Sequence, residues 1–242
     1  KKRSEKENKK HRRTGTCFLS FAFKQTTGMY SIPLFADLDA CRMQEAASQL
    51  EALPSRGIAC NNWANDYPYA PQAEFRIAHN GEAIFIRFDV KENFTMAQVT
   101  EDNGEVWTDS CVEFFLSLDD SGYYNFEFTC IGKALAGFRK ERPHATHGNT
   151  EVMQSIKRYS TLGEANFEEK TGDNVWTLTV AIPATALFKH DVKQLNGLKA
   201  KANVYKCGDN LSKPHFLSWQ PIDTPTPNFH VPQFFTEIEF QG

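Results

Sequence analysis

Glu113 and Glu127 are the two side chains with the widest chemical range in this 242-residue chain. Two carboxyl groups flanking a groove can hydrolyse a glycosidic bond when one donates a proton and the other acts as base or nucleophile. The same pair can simply accept hydrogen bonds from hydroxyl groups. Nearby in sequence stand Asn125, Arg139 and Trp107, an amide, a guanidinium and an indole, and Trp219 sits in a later segment rich in turn residues. An indole offers a flat apolar face and one N–H donor. A ring that carries C–H bonds on one face and hydroxyls around its rim needs flat aromatics plus polar groups at their edges, and Trp107, Trp219, Glu113, Asn125, Glu127 and Arg139 supply those types.

The elements that must position these groups follow from alternation. Val112, Phe114, Leu116 and Leu118 alternate with Cys111, Glu113, Phe115 and Ser117, and Tyr124, Phe126, Phe128 and Cys130 alternate with Tyr123, Asn125, Glu127 and Thr129. A period of two is the signature of a strand with one buried face. Asp120-Ser121-Gly122 between the runs predicts a three-residue hairpin loop with Gly122 in the left-handed region. That loop sets Asp119 opposite Tyr123, Leu118 opposite Tyr124, Leu116 opposite Phe126 and Phe114 opposite Phe128. Glu113 and Glu127 then share the outer face two pair positions apart, beside Phe115 and Asn125, with Trp107 just before the first strand. A two-residue loop would shift the pairing by one and set apolar residues against polar ones.

Elsewhere, Asn80-Gly81 joins strands over 74–79 and 83–91, as that dipeptide does in tight hairpins. Further strands are expected over 133–139, 155–162, 166–170, 175–182, 199–207 and 234–240, with a turn at Gly172-Asp173-Asn174 and a short helix over 46–53 before Pro54. Residues 140–150 form a polar loop, and residues 208–233, with five prolines, form a long one that contains Trp219. About ten short strands with almost no helix predict an all-β antiparallel β-sandwich, immunoglobulin- or jelly-roll-like. Trp176 is expected in its core and Trp63 as a packing anchor. Residues 1–28 read as a basic, disordered tail or a mis-assigned start ahead of Met29, and residues 29–242 as one domain.

Composition narrows the function classes. The chain is net −3, yet its first thirteen residues carry eight Lys/Arg against two Glu, so the remainder, with 19 basic and 28 acidic residues, is net −9. An acidic folded part argues against nucleic acid as partner. The apolar run 17–23 is far too short to span a membrane. Six cysteines at 17, 41, 60, 111, 130 and 207 include no CxxC pair, which removes the usual zinc signature and leans towards a reducing compartment, with the choice between cytoplasmic and exported open. Cys111 falls on the outer face and Cys130 on the core face, so the two are not expected to be bridged. His144 and His147 bring two imidazoles to one loop without a third ligand in reach. No phosphate loop and no nucleophile elbow is present. Asp119-Asp120 belongs to the turn, with a calcium site on its oxygens the weaker alternative.

Trp107-Thr108-Asp109-Ser110-Cys111-Val112-Glu113-Phe114-Phe115, Tyr123-Tyr124-Asn125-Phe126-Glu127-Phe128 and Gly132 resemble the core of the family 9 carbohydrate-binding modules, and most nearly the family 9-like proteins of Bacteroidetes. Asn203-Val204-Tyr205-Lys206, Phe216-Leu217-Ser218-Trp219, Phe229-His230-Val231-Pro232 and Phe234 are similar to the carboxy-terminal pattern of that family. The resemblance spans roughly residues 30–240. It implies a β-sandwich that clamps a mono- or oligosaccharide between two tryptophans, Trp107 and Trp219 here. Glu113 would be the hydroxyl-binding carboxylate, and Arg139 would stand slightly off the place of the family's arginine. It implies no cofactor chemistry, a structural calcium whose ligands have no residue-by-residue counterpart in this chain, and a role in polysaccharide degradation. Three function classes therefore stand: sugar binding without catalysis, hydrolysis through Glu113 or Glu127, and a structural module whose sugar site is lost.

Overall fold

A computed structural model describes residues 28–242. The basic segment and the apolar run 17–23 lie outside the described residues. In chain order the elements are β1 (Tyr30–Ile32), α1 (Met43–Glu51), β2 (Arg56–Gly57), β3 (Gln72–His79), β4 (Ala83–Ala97), β5 (Cys111–Asp119), β6 (Gly122–Thr129) and β7 (Ala134–Arg139). After them come β8 (Thr146–His147), α2 (Thr150–Ser155), β9 (Lys157–Ser160), β10 (Phe167–Pro183), β11 (Lys199–Cys207), β12 (Phe216–Ser218) and β13 (Thr236–Phe240). They form two sheets. One runs β1-β13-β11-β5-β6-β7-β8, with β12 added on β11, and the other runs β2-β3-β4-β10-β9. The expected β-sandwich is what the chain forms, antiparallel except where β1 pairs in parallel with β13 and where an isolated bridge joins Leu34 in parallel to His79.

The alternation of the sequence decides which faces meet. Val112, Phe114 and Leu116 of β5 and Tyr124, Phe126 and Phe128 of β6 are buried against Phe75, Ile86, Phe88, Trp176, Leu178 and Val180 of the other sheet. Each such side chain removed from water stabilises the fold by roughly 1.5–3 kcal/mol. On the far side of the second sheet, α1 lays Ala46 and Leu50 over Ala78, Phe85 and Ala181. The outer face of the first sheet is covered too. Cys111, Phe115, Tyr123, Tyr205 and Cys207 are buried beneath Trp63, Ile222, Phe229, Val231 and Phe235, most of them from the proline-rich segment after β11.

The central hairpin departs from the expected register. Asp119 pairs with Gly122 across a two-residue turn, Asp120-Ser121, and the pairing then steps to Leu116 with Tyr124, Phe114 with Phe126 and Glu113 with Glu127. Ser117 and Leu118 therefore face Tyr123 alone, a β-bulge. The extra residue restores the phase that a two-residue loop would otherwise lose, so apolar residues still meet apolar ones. The turn is held by Ser121 N–H donating to Asp119 Oδ1 at 2.8 Å and by Ser117 Oγ donating to the Asp119 and Gly122 carbonyls at 2.9 Å each. Gly122, at φ 157°, is not left-handed helical; glycine stands there because a Cβ would come within 2.6 Å of the Arg139 carbonyl oxygen and 2.7 Å of the Phe138 ring.

Other expectations change as well: β8 and the start of α2 fall in the expected loop 140–150, β9 is shorter than the expected strand 155–162, and β12 lies within the expected loop 208–233. The turn at Gly172-Asp173-Asn174 is a register shift within one continuous strand, since β10 keeps pairing with β4 on both sides of it. Residues 92–97, which lack regular alternation, extend β4 for the same reason: β10 lies beside them for that whole length.

Candidate functional site

Directly opposed residues place three rows of side chains across the outer face of β11, β5, β6 and β7. One row is Asn203, Phe115, Asn125 and Gly137; the next is Tyr205, Glu113, Glu127 and Leu135; the third is Cys207, Cys111 and Thr129. The bulge thus makes Glu113 and Glu127 direct neighbours. Above the middle and third rows lies a pocket of about 480 Å³. Trp107 reaches it from the single 3-10 turn of residues 106–108 that precedes β5, Arg139 from the end of β7, and Arg142 from the loop beyond. Cys207 and Asp209 contribute from the end of β11, and Phe216, Phe229 and His230 from the segment that follows.

Hydrogen bonds fix these groups in order. Arg139 Nε donates to Asn125 Oδ1 at 3.0 Å, and Asn125 Nδ2 donates to Glu127 Oε1 at 2.8 Å. The absence of a side chain at Gly137 makes this possible, because a Cβ there would come within 2.5 Å of Asn125 Oδ1. Cys207 Sγ donates to Glu113 Oε1 at 3.1 Å. The Asp209 and Asn210 N–H groups donate to the Trp107 and Thr108 carbonyls at 3.1 Å each, which ties the 3-10 turn to the chain leaving β11. His230 Nδ1 lies 3.1 Å from the Tyr123 hydroxyl.

Burial dominates the electrostatics. Glu113 and Glu127 are each 3% exposed. Desolvation disfavours a buried charge, and it pushes the Glu113 carboxyl well above its ordinary range, with Cys207 and Glu127 adding to the effect. Glu127 is pushed up to about 7 by desolvation, against the stabilising pull of Asn125 and Arg139. Asp209 is raised to about 6 by burial, opposed by Arg142. Burial and the two guanidinium charges lower His230 to about 3, so its imidazole is neutral. The pocket therefore offers carboxyl groups, two guanidinium groups, a neutral imidazole and the Trp107 indole.

Of the residues expected at a site, Trp107, Glu113, Glu127 and Arg139 line this pocket. Asn125 is fully buried beneath it and orients Arg139 and Glu127. Trp219 is elsewhere: its half-buried indole packs edge-on against Tyr30 and Phe75, both at 5.3 Å between ring centroids, and it does not line the pocket. Phe216 and Phe229 supply further aromatic lining, and Phe229 stacks on Tyr205 at 4.2 Å. Asp209 and Arg142 belong to no motif in the sequence, and Phe216, Phe229 and His230 stand in the family's carboxy-terminal pattern without a site role being implied for them. The signal that could have found Asp209, Phe216, Phe229 and His230 is the density of polar and aromatic types in the proline-rich segment 208–233, next to the end of a strand, whereas Arg142 lies in the loop after β7 and carries no such signal.

A family model described as carbohydrate-binding family 9 matches residues 43–240. The chain belongs to that family. Its fold matches a candidate carbohydrate-binding protein from Bacteroides uniformis at 39% identity and a TM-score of 0.80, covering 88% of this chain and 97% of that one. Two structures of a family 9 carbohydrate-binding module from Caldicellulosiruptor kristjanssonii, one with glucose and one with cellotriose, match at 10% identity each, with TM-scores of 0.52 and 0.55. Each covers 89% of this chain, and 96% and 94% of the respective module, and at that identity the likeness is one of fold. No curated protein matches the chain.

The calcium that the family implies finds a poor donor set. Calcium takes six to eight hard oxygen ligands. Among the described residues the one group of three or more His, Cys, Asp or Glu side chains with converging ligand atoms is Cys111, Glu113 and Cys207, all buried. Two sulfurs and one carboxylate do not suit calcium, and no role for it follows. His147 sits in β8 beside Gly137 and joins no such group. No helix among the described residues is long and apolar enough to cross a membrane.

Proposed function

We propose that the pocket holds one sugar ring, or the end of an oligosaccharide, and binds it without chemistry. The observation that carries this reading is the convergence of the Trp107 indole with Glu113, Glu127 and Arg139 in one cavity of about 480 Å³. That volume falls within the roughly 300–1,000 Å³ typical of small-molecule sites. Trp107 is the apolar platform for the C–H face, and the carboxyl and guanidinium groups read the hydroxyls. Phe216 and Phe229, rather than Trp219, are the aromatic complement to Trp107 in this reading. The sugars bound by the two Caldicellulosiruptor structures, glucose and cellotriose, are the first ligands to try.

Calorimetry with glucose and cellotriose tests it. Binding at millimolar Kd or tighter, about −4 kcal/mol or better, is expected, and Trp107→Ala should weaken it about 10-fold or more. Silence towards a panel of mono- and oligosaccharides would leave the fold without this function.

A second reading rests on one specific observation: Glu113 and Glu127 are direct cross-strand neighbours that line one pocket, and burial raises both carboxyls, as a glycosidase needs of its acid. Release of reducing ends from cello- or xylo-oligosaccharides that disappears in Glu113→Gln would select it over simple binding.

A further inference from the structure

The geometry points to a second ligand at the floor of this pocket: we infer that Cys111, Cys207 and Glu113 form a site for a thiophilic divalent cation, zinc foremost. Cys111 and Cys207 are direct cross-strand partners on β5 and β11. Side chains of directly opposed residues leave the sheet on the same face, with Cα atoms roughly 4.5–5.5 Å apart. Glu113 stands two residues along β5, so it projects on that face as well. The two sulfurs and a Glu113 carboxylate oxygen all lie within 4.8 Å of one another.

That envelope is close to what a shared ion needs. Zinc binds sulfur at about 2.3 Å and carboxylate oxygen at about 2.0–2.2 Å in tetrahedral geometry, which sets its ligands somewhat under 4 Å apart. Side-chain shifts of about an ångström close the set. Three protein ligands with a fourth position open is also the usual composition of a zinc site that meets solvent or ligand. Glu113 and Cys207 line the pocket, so the fourth position belongs to a water or a sugar hydroxyl. Calcium and magnesium are excluded by the sulfurs, whereas zinc, cobalt and cadmium accept the mixture of soft and hard donors.

Burial gives the pair little else to do. Cys111 is fully buried and Cys207 is 1% exposed. Their sulfurs make weak contacts, Cys111 with the Val112 carbonyl at 3.7 Å and Cys207 with the Trp107 carbonyl at 3.8 Å, and the one short contact runs from Cys207 to Glu113. Binding a divalent cation replaces the two thiol protons and any proton on Glu113, and releases them to solvent. No oxidant or reductant takes part.

The test uses the whole chain, kept reduced by a phosphine and titrated with cobalt(II), then with zinc. One cobalt per chain is expected, with an intense thiolate-to-cobalt charge-transfer absorption that one equivalent of zinc abolishes. Cys111→Ser and Cys207→Ser should each weaken cobalt binding by about 100-fold or more, the upper end of what even a supporting outer group costs. Cys60→Ser should leave it unchanged, and Glu113→Gln should keep the absorption at lower affinity. Circular dichroism establishes that each variant is folded. If the serine variants do not fold, the wild-type protein decides: zinc should protect the peptides bearing Cys111 and Cys207 from alkylation, as read by mass spectrometry. A folded protein that shows no charge-transfer band with millimolar cobalt would overturn the inference. So would a band that survives in Cys111→Ser/Cys207→Ser, or the two thiols found joined as a disulfide and indifferent to metal.

Discussion

Glu113 and Glu127 share one row of the sheet because a two-residue turn and a bulge of one residue each move the pairing by one position from that of a three-residue loop. Their types and their common face are legible in alternation alone. Their direct opposition is not, because a bulge leaves no mark in a pattern of period two. It has an energetic consequence. The Glu127 carboxyl, raised to about 7 from an ordinary 4.5, holds its proton more tightly in the folded chain than in the unfolded one. Below pH 4.5 both states are protonated and nothing is lost. As pH rises from 4.5 to 7 the fold loses stability, and above 7 the loss levels off at about 3 kcal/mol. Glu127→Gln keeps the acceptor for Asn125 but cannot ionise. Urea unfolding should therefore give matching curves for variant and wild type near pH 4, and a variant more stable by about 3 kcal/mol at pH 8. The same variant should bind sugar more weakly, if Glu127 reads a hydroxyl.

At the scale of elements, two strands do work that no side-chain inventory predicts. Gly137 of β7 is the gap into which Asn125 of β6 fits. Gly137→Ala should displace the amide, release both Arg139 and Glu127, and lower sugar affinity at least about 10-fold, or 1.4 kcal/mol, in calorimetry. Its far-ultraviolet circular dichroism should be unchanged. Across the sandwich, Lys206 of β11 meets Glu92 of β4, both without exposed side-chain surface, at 2.9 Å. The ammonium also reaches the Cys207 carbonyl at 2.9 Å and His215 Nε2 at 2.7 Å, while Trp176 Nε1 donates to Glu92 Oε1 at 2.8 Å. Lys206→Met strands a buried carboxylate and should cost about 3–5 kcal/mol in chemical unfolding, with the Glu92→Gln/Lys206→Met double variant recovering part of it. The strand that carries Lys206 was legible: alternation placed 199–207 as a strand. Glu92 was not, since it falls where the alternation of β4 lapses and only the neighbouring β10 keeps the backbone extended.

For the whole molecule, the sandwich was readable because its core faces obey simple alternation. The third layer over the outer sheet face was not, because residues 208–235 have no period at all and their placement is set by tertiary contacts such as Trp63 Nε1 donating to the Thr224 carbonyl at 2.8 Å. Trp219 shows the difference. As a junction tryptophan it looks like a ligand platform, yet it joins β1 to β3 through Tyr30 and Phe75. Trp219→Ala should therefore lower stability by about 2–3 kcal/mol, less than the 3–5 of a fully buried aromatic, and the melting temperature by roughly 5–10 °C. Calorimetry on the folded variant should find sugar affinity within about 2-fold of wild type; a loss as large as that of Trp107→Ala would restore Trp219 to the site.

The covering segment also bears on how the protein is made. Glu113, Glu127 and Arg139 leave the ribosome long before Asp209, Phe216, Phe229 and His230, which complete the pocket, and before β13, which covers the edge of β11. In that interval Phe115, Tyr123 and Tyr205 lack the cover that Ile222, Phe229, Val231 and Phe235 give them, and exposed apolar surface of this kind invites aggregation. A sugar cannot protect the nascent chain then, because its site does not yet exist. Ligand can stabilise only finished molecules, and the burden of that interval falls on whatever else shields the half-made sheet.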